Sequence, residues 1–450
     1  MNTKLLCSFV TLLTLSGCST ISQKDVFLSM ESLTADRGVK NLKWIKNEDE
    51  SKEIEDSVQA LLSKPLTQED AVRVCLLNNR SLQQTYERIG IAQSELVQAG
   101  LLSNPLVGYS VGRGNGITTS TLSVEFAFLD LLWIPLRREL GGLALEEAKL
   151  SVGDEVLKMV RDTKINYIDA RVAEEKAALY DEVLKSYEAS VQLAVRQMSV
   201  GNLSKRNFLK IQDAYAHARL ESMRFHRDLA MARESLNKMM GVYAQQTHYT
   251  LSDEPLTLPS KMKENTHLED LAMRNRLDIS AAQKAVEYSA SEVGYTGKTR
   301  LIDEVQISGQ SEKKTNENRF NTFGIKIPLP LFDMGQGRVS RAQSNYNASV
   351  HHLYELAVNT RSEVREAYAK TRYAYDMAHE YQDSILDVNR DILKETQLFY
   401  NGMLEGIYEL LEDQRRYTET KMEALSAMGE YQKERSNLIY TIGGENNATR

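Results

Sequence analysis

The distribution of proline constrains the fold of this 450-residue chain more than any other feature of its sequence. The run from Leu136 to Glu254 contains no proline, and neither does the run from Leu331 to the C-terminus. Proline is excluded from helix interiors because it lacks a backbone N–H and its ring clashes with the preceding turn. A short polar break, at 200–204 and at 400–404, divides each run near its middle. The pattern predicts two helical hairpins, with limbs that each reach roughly 90 Å at 1.5 Å per residue.

Composition agrees with long helices and excludes one large class of function. Aromatic residues make up only 7% of the chain, and Ala, Leu, Glu, Lys, Arg and Gln dominate, which is typical of long helices and coiled coils. The net charge of −7 provides no basic surface for a nucleic acid. We therefore expect no nucleic-acid partner.

The N-terminus has the pattern of an export signal. Lys4 precedes an apolar stretch at 5–15, which is too short to span a bilayer as a helix. The order Leu15-Ser16-Gly17-Cys18 then resembles a bacterial lipobox, which implies removal of residues 1–17 and acylation of Cys18. Ser19, where an aspartate would signal retention in the inner membrane, implies the outer membrane. The alternative is an ordinary secretory signal with an incidental cysteine. Apart from a covalent lipid on Cys18, we expect no cofactor.

Two segments, 104–128 and 303–330, differ from the helical pattern around them. Each predicts a pair of strands joined by a polar turn, at 112–116 and 311–318. In the second strand of each pair, apolar residues alternate with polar ones, as from Leu122 to Phe128. Such a strand is long enough to cross a bilayer with tilt. A soluble hairpin with one wet face gives the same alternation, so both interpretations remain open.

The chain repeats this order of elements. A helix is predicted from Thr67, its N-cap, to residues 99–100, and another from His267 to about 293. Asn79 to Leu82 aligns with Arg276 to Ile279 at an offset of 197, and Phe208-Leu209 aligns with Leu410-Leu411 at 202. Between the glycine and this pair, the second break has one more residue than the first. The predicted organisation is a signal peptide (1–17), an extended N-terminal arm (18–64), a first repeat (65–258, strand pair 104–128, hairpin 136–254), a second repeat (259–442, strand pair 303–330, hairpin 333–442) and a flexible tail (443–450).

This arrangement resembles the TolC-like outer-membrane efflux proteins, and in particular their lipidated members. The motifs that carry the resemblance are Leu101-Leu102-Ser103-Asn104-Pro105, Pro328-Leu329-Pro330-Leu331-Phe332-Asp333, Gly201 with Phe208 to Gln212, and Tyr400-Asn401-Gly402 with Glu409 to Gln414. The fold class implied is mainly α with β, in which very long antiparallel helical hairpins form a trimeric α-barrel. Four strands per chain contribute to a 12-stranded transmembrane β-barrel, and four strands alone cannot close a barrel.

The resemblance also implies where functional residues lie. Glu409, Glu412 and Asp413 would line a periplasmic gate, although a solvated helix face explains them equally simply. The tips at Gly201, Asn202, Leu203 and Ser204, and at Gly402, Met403 and Leu404, would dock an adaptor protein. Glu125 and Lys326 would face the lumen, because on a lipid face each costs a few kcal/mol near the midplane. His217, His226, His351 and His352 have no metal-ligand spacing, so no metal site is expected.

The function implied is a passive exit duct of a tripartite efflux or type I secretion system. Its partners would be two further copies of the chain, a periplasmic adaptor, an inner-membrane pump and outer-membrane lipid. No nucleophile elbow, phosphate loop or zinc signature is present, so we expect no enzyme activity. A periplasmic coiled-coil adaptor or scaffold lipoprotein is the alternative. The cargo, whether drug, metal ion or polypeptide, stays open.

Overall fold

The computed structural model describes residues 23–114, 116–262, 267–301 and 305–445. The predicted signal peptide, the acylation of Cys18 and residues 446–450 of the predicted tail lie outside these ranges. The helices are α1 (Gln23–Ala35), α2 (Glu48–Leu62), α3 (Gln68–Asn78), α4 (Arg80–Ala99), α5 (Asp130–Ser199), α6 (Lys205–Met240), α7 (Leu268–Asn275), α8 (Leu277–Thr299), α9 (Gln336–Glu380), α10 (Leu386–Asn401) and α11 (Ile407–Thr441). The strands are β1 (Leu106–Gly114), β2 (Ile117–Ala127), β3 (Gln306–Lys314) and β4 (Phe320–Lys326).

The chain divides into two compact units. The first contains the described residues of 1–33 with 85–153 and 277–357, and the second contains 34–84, 154–276 and the described residues of 358–450. The first unit holds the sheet, and the second holds the middle and the tips of the hairpins. Each unit is described separately below.

The sheet of the first unit is antiparallel, in the order β1-β2-β3-β4. Because side chains alternate between faces along a strand, the register assigns every residue to one face. One face, called the apolar face below, carries apolar residues of all four strands: Val107, Tyr109, Val111, Leu122, Val124, Phe126, Ile307, Phe323 and Ile325. Toward the strand turns the same face becomes polar and carries Arg113, Ser120, Ser311, Lys313 and Asn321. The other face carries Ser110, Thr121, Ser123, Glu125, Ser308, Gln310, Glu312 and Lys326.

The predicted polar turn at 311–318 was wrong in its extent. Residues 311–314 continue β3, with Ser311 opposite Leu122 and Lys314 opposite Thr119. Their local sequence favours a turn, but the ladder with β2 supplies backbone partners that local propensity does not take into account. Strand β1 likewise continues through Gly114.

The predicted N-terminal arm at 18–64 is not extended in its described part, and the short helical pattern of the sequence around Glu53 to Leu62 is confirmed. Its described part forms α1 and α2, and Phe27, Met30 and Trp44 are buried. Within the first unit the ring of Phe27 packs edge-on against that of Tyr86, with centroids 5.1 Å apart. The apolar residues of this segment are interspersed with many charged ones, so the sequence pattern understated how much of it is buried.

Helix α5 starts earlier than the proline rule predicted. It begins at Asp130 and contains Pro135 in its second turn. Asp130 accepts a hydrogen bond from the hydroxyl of Ser103 and supplies a negative charge at the helix N-terminus. Pro135 has no N–H to donate to the Leu131 carbonyl, so the helix loses that one hydrogen bond. The long remainder of the helix continues after the proline.

In the second unit, the first hairpin ends earlier than the sequence predicted. Helix α6 stops at Met240 rather than at Glu254, because Gly241 adopts the left-handed conformation (φ 68°) that caps it. The chain then folds back beside the start of α3. The Leu66 N–H donates to the Thr250 carbonyl, and the Ser252 N–H donates to the Leu66 carbonyl, both at 2.8 Å.

Each predicted single helix that precedes a strand pair is instead two helices. The first breaks at Asn79 (ψ 114°) and the second at Arg276 (ψ 128°). The Asn79 side chain accepts from the Ser81 N–H at 2.8 Å and so caps the helix that follows. These two breaks are related by the offset of 197 found in the sequence. The sequence alignment therefore identified equivalent positions, although it did not reveal that the helices break there.

A left-handed glycine packs against each break. Gly241 lies against Asn78 and Asn79, and Gly443 (φ 89°) lies against Asn275 and Arg276. A Cβ atom on Gly443 would come within 2.7 Å of the backbone carbon of Asn275. Backbone cannot move aside as a flexible side chain can, so both the conformation and the close approach require glycine.

Replacing Gly443 with alanine is therefore expected to lower the free energy of unfolding by about 2 kcal/mol or more. Gly402→Ala is the matched control, because Gly402 has φ −77° and its nearest neighbour to a new Cβ is 3.5 Å away. The control is expected to stay within about 0.5 kcal/mol of the parent. Thermal unfolding of the purified proteins compares the two, and equal midpoints would contradict this explanation of Gly443.

Candidate functional site at the hairpin tips

The first tip is closed by a left-handed glycine. Gly201 has φ 76°, and its N–H donates to the Met198 carbonyl at 3.1 Å. The Asn202 N–H donates to the Gln197 carbonyl at 2.9 Å, which completes the hydrogen-bond pattern of a Schellman cap. Ser204 then caps α6 by accepting from the Asn207 N–H at 3.3 Å.

The second tip has the same hydrogen bonds but a different residue in the left-handed position. The Met403 N–H donates to the Tyr400 carbonyl at 3.0 Å, and the Leu404 N–H donates to the Phe399 carbonyl at 2.9 Å. Met403, not Gly402, has the positive φ of 61°. Gly402 is instead a right-handed helix terminus (φ −77°, ψ 0°).

The two tips consequently contain no inserted residue. Met403 occupies the position of Gly201, and Gly406, the N-cap of α11, occupies that of Ser204. Both pairs are separated by 202 residues, which is also the offset between Phe208 and Leu410. The apparent insertion arose from aligning Gly201 with Gly402, one residue too early. The register of the second tip is thereby fixed.

Both hairpins contribute to one apolar cluster close to the tips in the second unit. Buried Tyr180, Val183 and Tyr187 of α5 pack with Leu411 and Met422 of α11. Polar contacts continue this packing toward the tips. The Gln414 amide donates to the Ser186 hydroxyl at 3.0 Å, and the Lys210 ammonium lies 5.2 Å from the centre of the Tyr408 ring.

The three predicted gate carboxylates have different surroundings. Glu412 is half-exposed and accepts from Arg415 at 2.5 Å, and Asp413 accepts from the hydroxyl of Thr396 at 2.6 Å. Glu409 is exposed, and no hydrogen bond or ion pair engages its side chain among the residues that the structure describes. Of the three, Glu409 is therefore the carboxylate that is available to a soluble cation.

Glu409 also has a local structural role. It is the third residue of α11, and a Cβ atom on Gly406 would lie 2.7 Å from its Oε2 atom. The carboxylate thus lies over the N-terminus of the helix, where the helix dipole favours negative charge. This position fixes the side chain close to the turn.

The ion pair of Glu412 is part of a larger group. The hydrogen bond between Arg415 and Glu412 lowers the pKa of Glu412. The same hydrogen bond is the main reason that the pKa of Arg415 is raised. Arg415 also pairs with Glu419 one turn further along the helix. The charge of Glu412 is thus already balanced locally, which distinguishes it from Glu409.

A charge difference between the tips was missed by the sequence reasoning. Residues 190–212 contain four cations and no anion, for a net charge of +4. The structurally equivalent residues 392–414 contain one cation and five anions, for a net charge of −4. Counting charges over windows aligned at the offset of 202 would have found it. The cations of the first tip are Arg196, Lys205, Arg206 and Lys210.

In the first unit, Glu125 and Lys326 form an ion pair. The Lys326 ammonium donates to the Glu125 carboxylate at 2.8 Å and spans β3 between them. The register puts both residues on the polar face of the sheet. That they share one face agrees with the alternation in the sequence, and a luminal position for that face stays a prediction.

Four of the described histidines, His217, His226, His352 and His379, lie within 4.0 Å of a carboxylate, and only His226 pairs with one on another helix. His226 on α6 lies 3.1 Å from both oxygens of Asp181 on α5, and the Ser222 hydroxyl donates to the same carboxylate at 3.1 Å. The partners are 45 residues apart, so sequence spacing could not reveal the pair. Within the described ranges, no cluster of three or more His, Cys, Asp or Glu side chains could hold a metal ion.

None of the described helices combines the length and the apolar character needed to cross a membrane.

Residues 268–444 match the family model described as outer membrane efflux protein. Nodulation protein T of Rhizobium leguminosarum bv. viciae is 22% identical over 386 residues, which is 81% of this chain and 80% of that protein. The probable outer membrane lipoprotein SilC of Salmonella typhimurium is 22% identical over 314 residues, 67% of this chain and 66% of that protein.

Solved structures share the fold. The CmeC outer membrane channel of Campylobacter jejuni superposes with a TM-score of 0.71 at 13% identity, covering 84% of this chain and 85% of that chain. The similarity thus extends well beyond the residues that match the family model and includes the first repeat. Residues 268–444 thus form a domain that matches the outer membrane efflux protein family, and the chain shares the fold of a solved outer-membrane channel.

Proposed function

We propose that three copies of this chain form a passive exit duct that crosses the outer membrane and extends into the periplasm. The sheets of the three copies join into one closed sheet of twelve strands, and the hairpins surround a water-filled tunnel. An inner-membrane pump drives transport and is connected to the duct by a periplasmic adaptor. The chain itself performs no chemistry.

The amphipathic sheet is the observation that carries this proposal. Its apolar face includes residues from all four strands, and Val107, Tyr109 and Phe323 are each more than two-thirds exposed. An apolar face of this size needs a cover, and lipid provides one. Four strands are too few to close a sheet, since the smallest closed membrane sheets have eight. Twelve strands from three copies would suffice. A coiled-coil adaptor or scaffold has no use for such a sheet.

The polar face of the sheet then lines the tunnel. Glu125 and Lys326 are both on this face, and their ion pair offsets part of the cost of placing each charge within the membrane region. The three copies would place three such pairs around the lumen. Since each pair is neutral, it adds little net field to the passage.

The tips form the periplasmic mouth and the docking surface in this proposal. Exposed Met403 and Leu404 offer apolar contacts to an adaptor, and the two tips add opposite charge. Such a surface favours a partner with complementary charges and so fixes its register. Glu409 from each copy contributes to a ring of carboxylates at the mouth, which concentrates cations there.

A lipid on Cys18 would anchor the assembly to the outer membrane. The lipobox supports this modification, and the similar protein SilC is itself described as a probable lipoprotein. The lipid and the apolar face of the sheet would then attach each copy to the membrane at two places.

The proposal is tested by purifying the full chain in detergent and reconstituting it into planar bilayers. We expect a mass of three chains by native mass spectrometry and discrete conductance steps after reconstitution, because only a closed assembly encloses a path for ions. A monomer that needs no detergent and gives no conductance would overturn the proposal.

Glu409→Gln is expected to raise the divalent-cation concentration that half-blocks conductance by several-fold. It removes, from each copy, the one of the three predicted gate carboxylates that has no partner among the described residues. Glu412→Gln should have a smaller effect, since Arg415 already neutralises that charge. Glu395→Gln, an exposed carboxylate on the incoming limb, is the control. An unchanged block in Glu409→Gln would assign this residue to helix capping alone.

A further inference from the structure

Among the described residues, the cations on the polar face of the sheet have carboxylate partners, whereas those on the apolar face do not. On the polar face Lys326 pairs with Glu125, and Lys314 lies 3.3 Å from Glu312. On the apolar face Arg113 and Lys313 are exposed, and among the described residues no carboxylate lies within 4.0 Å of either cation. Arg319, immediately before β4, is also exposed and lacks such a partner there. Three cations thus border an apolar face without an internal counter-charge.

The register puts these cations at one end of the sheet. Val111, Ser120 and Lys313 form one row across β1, β2 and β3, and Arg113 lies two residues further along β1 on the same face. Arg319 is one residue beyond Phe320, which is the last paired residue of β4. This is the end of the sheet with the strand turns, whereas the helical connections to β1 and β2 are at the opposite end.

The depth of this end fits a membrane boundary. From Phe126 to Thr118, opposite Arg113, strand β2 rises by about 26 Å, which a tilt near 45° reduces to about 19 Å of membrane depth. The apolar band of such sheets is about 25 Å tall, so Arg113 lies near its far margin. Lys313, opposite Ser120, and Arg319 lie about 5 Å nearer the midplane, a distance that a long basic side chain can span toward the headgroups. Arg or Lys costs about 2–4 kcal/mol on a lipid face at the midplane but close to nothing at the interface. A position at the level of lipid headgroups therefore suits all three.

We propose that Arg113, Lys313 and Arg319 bind the phosphate groups of lipid A, the diphosphorylated glucosamine lipid of the outer leaflet. This inference rests on the proposed function, which puts the helices in the periplasm and the turns outside. The cations are distributed over three strands, and β1 lies about 10 Å from β3. A headgroup with two separate phosphates can contact cations at this spacing, whereas phosphatidylglycerol offers a single phosphodiester. Arginine adds a planar fork suited to phosphate oxygens.

The test reconstitutes the full chain into phosphatidylcholine vesicles that contain either diphosphorylated lipid A or lipid A with both phosphates removed. Lipid that remains bound after detergent extraction is counted by native mass spectrometry. The parent should retain at least about tenfold more of the phosphorylated lipid, because each basic residue near an anionic surface contributes on the order of 1 kcal/mol. Arg113→Gln/Lys313→Gln/Arg319→Gln should lose that preference.

Lys314→Gln/Glu312→Gln is the control, since it removes charges at the same end of the sheet from the opposite face and should keep the preference. Equal retention of the two lipids by the parent, or an undiminished preference in the triple variant, would overturn the proposal. So would equal retention of phosphatidylglycerol, which would show a response to any anionic headgroup. Conductance is measured in the same samples. A conducting parent without lipid preference refutes this inference alone, whereas a parent that does not insert refutes the proposed function.

Discussion

The two open edges of the four-stranded sheet are the constraint on which the rest of this structure depends. In the part of the chain that the structure describes, β1 pairs only with β2 and β4 pairs only with β3, so each edge leaves backbone N–H and C=O groups unpaired. Unpaired groups are costly away from water, and an exposed edge tends to pair with another strand. Joining β4 of one copy to β1 of the next satisfies both edges. The same join would bring the hairpins of three copies together.

The two repeats share a backbone and differ in chemistry. The helix breaks at Asn79 and Arg276 are equivalent, as are the left-handed residues Gly201 and Met403 at the tips. The tips nonetheless carry net charges of +4 and −4. The two repeats thus have the same backbone geometry where it shapes the hairpins, and they differ in the charge at their tips. A ring of such tips would alternate in sign.

The fold could be predicted from the sequence because its main signals are local. Absence of proline indicated the long helices, and strict alternation indicated the strands. The failures came from interactions between distant residues, such as β3 extending through Lys314 along β2, or α6 ending at Gly241 against Asn78. At the candidate site, the sequence offered three neighbouring carboxylates and no way to distinguish them. Which acidic residue is unpaired depends on Arg415 and Thr396, and only coordinates reveal those contacts.

Disulfide cross-linking between the sheet edges tests the central claim most directly. A cysteine at Tyr109 on β1 is combined in turn with one at Asn321, Phe323 or Ile325 on β4, and each single variant serves as a control. Native Cys75 should not interfere, because it is buried and its burial raises the pKa of the thiol to about 11. We predict that oxidation in membranes yields covalent dimers and trimers for at least one pair, and no larger species. Products limited to monomers, or a ladder continuing beyond trimers, would contradict the account.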